Sequence, residues 1–254
     1  MKRTSFIKIV RTILVSFAAV TALWSGVAAW GGFSAGLLPS PWAVATAMSE
    51  LFRSGVMLEN IASSLLRFAI GYLLAISLGV LLGLVLGWYR RGYDYVAPVV
   101  HVLRPIAPVA WMPFIVLFLG IGDIPAIVII FLAAFFPVFL STAGAVQHLD
   151  PVYRKVAANY GITEPAVLWK VVLPGIFPAI ANSLHIALGS AWVFLVSGEM
   201  VGSQSGLGFM IIDARNNLRT DHLLAAVVMI GVIGFILDTA IAGVEKMVLQ
   251  LWGH

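Results

Sequence analysis

The polar side chains that interrupt otherwise apolar stretches are where chemistry would reside: Arg67, Arg104, His185, Ser197 and Glu199. His185 and Asn182 are three residues apart and share a helical face, with Ser197 and Glu199 at the outer end of that helix. A metal centre would need more ligands at suitable spacing, so the favoured reading is polar groups satisfied inside a helical bundle. Arg67 lies in the outer third of a long apolar run and is an expected partner of Glu199. Arg104 has two readings. Its guanidinium either snorkels near the inner boundary, or lines the inner vestibule and attracts an anion; Pro108 and Met112, on the proline-broken third span, are further pathway candidates. All of these are candidate pathway residues, because ionisable groups at membrane depth face partners or water. No catalytic residue is expected, since neither H-E-x-x-H nor G-x-S-x-G occurs. The chain also lacks G-x4-G-K-[ST] and contains no Gly-Lys dipeptide, so it does not cradle a nucleotide's phosphates by that route. The absence of cysteine removes disulfides and thiolate metal sites.

A second chemical feature is a polar, helix-forming island, DPVYRKVAANYGITEPAVLWKVVLP, from Asp150 to Pro174. Pro151 can start a helix running to Tyr160, and Gly161 suits a left-handed C-terminal cap. Thr163 is a candidate N-cap for a second helix, with Pro165 in its first turn and Leu173–Pro174 as its end. Two short helices at an angle form a compact knob. It is either a loop packed on its own bundle or a surface gripped by a second protein.

These groups must be held by elements built for lipid. The 254 residues are 61% hydrophobic and 10% charged, with mean hydropathy +1.03. An average soluble domain is roughly 45–50% apolar and about 25% charged. The fold class is therefore all-α integral membrane, with runs near the ~20 residues that a spanning helix needs. Predicted spans are 11–30, 61–87, 105–120, 125–146, 177–198 and 222–250. The first follows a basic flank (Lys2, Arg3, Lys8, Arg11) and reads as a retained helix rather than a cleaved signal. Short helices are predicted near 42–52 and 93–103, and Pro105, Pro108 and Pro113 break the entry to the third span. Six spans put both termini in the cytoplasm, with ten Lys and Arg on cytoplasmic parts and three (Arg53, Arg215, Arg219) outside. In the second span Gly71, Ala75, Gly79, Gly83 and Gly87 recur every four residues. That stripe serves close static packing, or a surface on which parts slide during alternating access.

The island resembles the signature loop of bacterial ABC importer permeases, E-A-A-x3-G-x9-I-x-L-P. Lys155 stands at the Glu position, Val156 and Ala157 at the two Ala, and Gly161, Val171, Leu173 and Pro174 match or nearly match. The segments LLPSP (37–41), 63–87, 104–123, 135–146 and 197–221 are similar to the nitrate/sulfonate/taurine group, so the resemblance covers most of 37–250. It implies a type I importer permease fold: one transmembrane domain over 1–254, with helix one in 1–36 and a five-helix transport unit in 60–250 around the coupling loop 150–174. It also implies a multi-pass protein of the bacterial inner membrane, working as a homodimer. Cytoplasmic ABC ATPase subunits would bind ATP and Mg, leaving no cofactor in this chain. An external solute-binding protein would deliver a sulfonate, taurine, nitrate or similar small anion.

The resemblance further implies that Lys155, Val156, Ala157, Ala158, Gly161, Glu164, Pro165, Trp169, Leu173 and Pro174 form the ATPase-coupling surface. Lys155 reverses the charge of the family's Glu. The outer stretch 199–220, with 38–57, reads as a platform that seals the bundle or receives the binding protein. A gradient-driven carrier or channel acting alone is the alternative function, and a docking subunit for assembly or signalling is a third. The scarcity of carboxylates and His in the second to fourth spans counts against the carrier.

Overall fold

The computed structural model describes residues 2–30 and 36–251, and every regular element among them is helical. In chain order these are α1 (Lys2–Trp30), α2 (Pro41–Arg53), α3 (Val56–Trp88), α4 (Arg90–Leu103), α5 (Met112–Leu119) and α6 (Asp123–Gln147), followed by α7 (Pro151–Asn159), α8 (Glu164–Val167), α9 (Leu173–Gly202), α10 (Leu207–Asn216) and α11 (Thr220–Leu251). Four stretches are long and apolar enough to cross a membrane: Val56–Trp88, Asp123–Gln147, Glu164–Gly202 and Thr220–Val248. The pair Arg90–Leu103 and Pro108–Leu119, bent by 85°, makes a fifth if it counts as one span. The sixth expected span falls in α1, of which the apolar stretch Val15–Trp30 is described at the side-chain level.

The centre is a three-helix layer in which α6 packs between α3 and α9. The four-residue stripe on α3 makes this possible. A Cβ at Gly83 would come within 2.6 Å of the Thr142 Cβ, and one at Gly87 within 2.9 Å of the Ala143 carbonyl. Gly71 and Gly79 press on Ile130 and Val138 in the same way, so the stripe is the seat of α6. Lipid offers no hydrophobic drive between helices, and close backbone approach supplies the dispersion contacts that replace it. Aromatic groups lock the layer to its neighbours. Phe68 stacks on Tyr72 at 5.1 Å and meets Trp192 edge-on at 5.4 Å. The Tyr72 hydroxyl donates to the Leu184 carbonyl at 2.7 Å, and Trp192 Nε1 to the Ile230 carbonyl at 3.1 Å.

Two expectations are corrected. The predicted third span, 105–120, is not one helix: a 3-10 turn, Pro108–Trp111, leads into the eight-residue α5. Eight residues rise only about 12 Å. Pro105 and Pro108 lack N–H donors and fix φ, so the chain turns there instead of crossing directly. The second helix of the island also does not end at Leu173–Pro174. A π-helical turn, Leu168–Val172, carries α8 straight into α9, and the N–H of Leu173 donates to the carbonyl of Leu168. The Pro174 ring would collide with the Lys170 carbonyl in a regular helix, and one inserted residue relieves that clash without breaking the rod.

Candidate functional site

At one end of the bundle a buried polar cluster joins α3, α6, α9 and α10. Arg67 and Glu199 are 3% and 0% exposed, and Arg67 NH1 lies 2.7 Å from Glu199 Oε1. Ser64, one helical turn before Arg67, donates to the same carboxylate at 2.8 Å. Arg67 also meets Asp123 at 2.6 Å and donates to the Ser205 carbonyl at 2.8 Å. The first N–H groups of α10 complete the set. Gly206 N donates to Asn60 Oδ1 at 2.6 Å, Leu207 N to Ser64 Oγ at 2.9 Å and Gly208 N to Glu199 Oε2 at 2.9 Å. A carboxylate that accepts from a helix's opening N–H groups is favoured by the helix dipole as well as by Arg67. Gly206 is required here: its φ is +106°, and a Cβ would collide with the Glu199 carboxylate. The cluster docks α10 and the loop before it onto the long spans.

At the other end the island forms an elbow. Gly161 has φ +65°, and the N–H of Ile162 donates to the Ala157 carbonyl at 3.0 Å, a left-handed helix stop. Thr163 is extended, as an N-cap should be, although its hydroxyl makes no capping bond. The elbow has two faces. Ala157, Val167, Leu168 and Val172 are buried in one cluster with Leu84, Val146 and Ile176. Val152, Tyr153, Val156, Tyr160 and Trp169 are turned outward, Tyr160 with 81% of its surface exposed. Lys155, Gly161, Glu164 and Pro165 are exposed, while Leu173 and Pro174 are half-buried; the backbone of Ala158 lies in α7. The Tyr89 hydroxyl donates to Glu164 Oε2 at 3.2 Å, tying the end of α3 to the elbow. The negative charge of Glu164 pushes the Tyr89 phenol above its ordinary value, and the hydrogen bond adds to the shift.

Between these ends, the break before α5 lines a half-open cavity of about 270 Å³ with Arg104, Ile106, Pro108, Trp111, Phe136 and Phe194 on its wall. Arg104 is exposed, and Arg104 and Pro108 are the two pathway candidates that the cavity brings together. Met112 is 1% exposed and packs with Ile115 and Ile129. Ser197 donates back to the Val193 carbonyl of its own helix. His185 faces α11, with Nε2 2.6 Å from Glu245 Oε2 and Nδ1 3.7 Å from Asp238 Oδ1, whereas Asn182 is exposed. Among the described residues, no group of three or more His, Asp or Glu is arranged to hold a metal ion.

The pairing of Arg67 with Glu199 follows the sequence expectation. Asn60, Ser64, Asp123 and Ser205 were missed, and one signal existed: Asn60, Ser64 and Arg67 fall on one helical face. The partners of His185 were missed too, although Asp238 and Glu245 are seven residues apart on α11, two turns along one face.

The chain is thus a multi-pass helical bundle with a buried polar lock at one end and an exposed aromatic elbow at the other. Residues 75–250 match the model of the binding-protein-dependent transport system inner membrane component, and the chain belongs to that family. It is 32% identical to the putative aliphatic sulfonates transport permease protein SsuC of Bacillus subtilis over 233 residues, 92% of this chain and 84% of the relative. It is 30% identical to the taurine transport system permease protein TauC of Escherichia coli over 244 residues, 94% and 89% of the two chains. A nitrate import permease protein, NrtB of Synechocystis, is 32% identical over 190 residues, 75% and 69% of the two chains. Among solved structures, the MetNI methionine ABC transporter in an inward-facing crystal form aligns with TM-score 0.65 at 20% identity, covering 76% of this chain and 96% of that one. The fold is that of an ABC permease, and the protein is a multi-pass inner-membrane transport component.

Proposed function

We propose that the chain is the membrane-spanning half of an ATP-driven importer, two copies of which enclose a pathway. ATP and Mg are bound by cytoplasmic ATPase subunits, and an external binding protein delivers a sulfonate, taurine, nitrate or similar small anion. The observation that carries this reading is the two-faced elbow, buried on the side of its own bundle and aromatic on the other. A polar segment that leaves Tyr160, Trp169 and Val156 outward is shaped to fill a groove on a second protein. Within the proposal both termini are cytoplasmic, 1–254 is one permease domain and the chain itself is not an enzyme. The residues from Lys155 to Pro174 pass the ATPases' closure to α9 through the unbroken helix from Glu164 to Gly202.

Relatives named for sulfonate, taurine and nitrate transport support the substrate class. Arg104 on the cavity wall supplies a positive charge suited to an anion in transit. The test is reconstitution with the ATPase and binding protein in liposomes. Solute uptake should require ATP and vanish when the ATPase's phosphate-binding lysine is replaced. Uptake driven by an ion gradient through the isolated chain would overturn the reading in favour of a carrier.

A further inference from the structure

The seam between α9 and α11 is tied at two levels. Toward the polar lock, Trp192 fills a notch: a Cβ at Gly234 would lie 2.9 Å from Trp192 Nε1, which donates to the Ile230 carbonyl at 3.1 Å. Two helical turns nearer the elbow, on the same face of α9, stands His185. Its Nε2 lies 2.6 Å from Glu245 Oε2 and its Nδ1 3.7 Å from Asp238 Oδ1, so one imidazole stands between two carboxylates of α11. A neutral imidazole has one N–H and one lone pair, and the lone pair would face a carboxylate. Only the imidazolium presents an N–H to each.

This part of α11 has little else to hold it. Beyond Ile233 no residue through 248 is buried, and Leu237 and Ile241 only edge the core. Among the described residues, its polar ties to another element are the two contacts of His185. No second cation serves Asp238 or Glu245 there, and Lys246 is exposed and in no ion pair. From α3, the Tyr72 hydroxyl is engaged by the Leu184 carbonyl. Asn182, one turn along α9, is uncharged, and Lys170 lies in the elbow. The charged groups of the other neighbouring helices, Asp123 of α6 and Asp213 and Arg215 of α10, belong to the opposite end of the bundle. The side chains of His185 and Glu245 are 26% and 28% exposed and that of Asp238 62%, so a proton reaches the cluster from the surface. We propose that protonated His185 latches the elbow-side part of α11 to α9, and that loss of its proton opens the latch. A contact that binds a proton when closed weakens as the pH rises, and histidine is the side chain suited to change charge near neutrality. Because α9 is the rod that the elbow drives, uptake then becomes sensitive to pH on the elbow side. That consequence rests on the importer reading; the latch does not.

The experiment compares wild type, His185→Arg, His185→Gln and Glu245→Gln from about pH 6.5 to 8.5. Arginine keeps its charge throughout this range, whereas glutamine keeps a donor for Glu245 and carries no charge. In the first arm the full chain in detergent micelles is melted and followed by circular dichroism. Wild type should lose stability relative to His185→Arg as the pH rises. His185→Gln should show no such trend against His185→Arg, and Glu245→Gln should lose most of it. In the second arm the complex with the ATPase and binding protein is reconstituted, and uptake is measured with the pH set on the ATPase side. The ratio of wild-type to His185→Arg uptake should fall about threefold to tenfold across the range, as expected for a partly exposed hydrogen bond to a charged group. Other titrating groups are common to both proteins and cancel in the ratio. A melting difference that does not change with pH would overturn the latch, as would a trend of full size in Glu245→Gln. A changing melting difference with a flat uptake ratio would overturn its role in transport. If ATP drives no uptake in any variant, the importer reading fails, and the melting arm still decides the latch.

Discussion

Removing either partner of the Arg67–Glu199 pair should be among the most damaging single changes in the bundle. Glu199 is fully buried and accepts from Arg67, Ser64 and Gly208. In Glu199→Gln the amide keeps one acceptor oxygen but turns an NH2 group toward donors, and Arg67 loses its buried counter-charge. Breaking a buried pair from one side costs about 3–5 kcal/mol, because a charge is left uncompensated. Asp123 does not rescue Arg67, since its side chain is 67% exposed and solvent screens much of the attraction. Arg67→Met should cost a similar ~3–5 kcal/mol by leaving Glu199 with two neutral donors. The double variant Arg67→Met/Glu199→Gln removes both charges, so its loss should fall short of the sum of the single losses by about 1–3 kcal/mol. Asp123→Asn should cost no more than ~1 kcal/mol. Unfolding followed by far-ultraviolet circular dichroism in mixed detergent micelles gives all four values. Single losses below ~1 kcal/mol, or additivity within about 0.5 kcal/mol, would refute the assignment of this cluster as a coupled buried lock.

Three further outcomes follow from other parts of the bundle. Gly83→Leu should overpack the α3–α6 seat by at least ~1–3 kcal/mol and abolish monodisperse protein on gel filtration, whereas Leu82→Ala, on an exposed face, should not. Tyr160→Ala/Trp169→Ala should leave the helical circular dichroism spectrum intact yet lower co-purification of the ATPase at least tenfold, because both rings face outward. Arg104→Gln should reduce uptake without changing the melting temperature; unchanged uptake would remove Arg104 from the pathway.

The parts of the fold that were legible in the sequence are those for which the membrane leaves one solution. Lone charges of opposite sign at similar depth must find each other, so Arg67 and Glu199 were readable across 132 residues. The four-residue recurrence from Gly71 to Gly87 announced a helix seat, and the crowding against Ile130, Val138 and Thr142 identifies α6 as what fills it. The prolines at 105 and 108 announced a broken entry, but not that the break is an 85° bend feeding an eight-residue helix. That angle depends on Trp111, Met112 and Ile115 finding places against α6 and α9, which local sequence does not encode.

Pro174 shows why such readings run out. A helix that meets a proline can stop, or absorb it with a π turn, and the local signal is the same for both. Burial decides between them. Val172 and Ile176, on either side of the proline, are 0% and 4% exposed in one apolar cluster. Ending the helix at Leu173 would pull one of them out of that cluster, at about 1.5–3 kcal/mol for a fully buried aliphatic side chain. Continuing through the turn keeps both in place and makes the elbow and α9 one rod. A proline that reads as a terminator therefore sits inside one continuous helix that joins the elbow to Glu199, the path along which the proposed coupling would run. Pro174→Ala tests this directly: the helix should regularise, rotate the elbow relative to α9, and uncouple ATP hydrolysis from uptake while both partners stay bound.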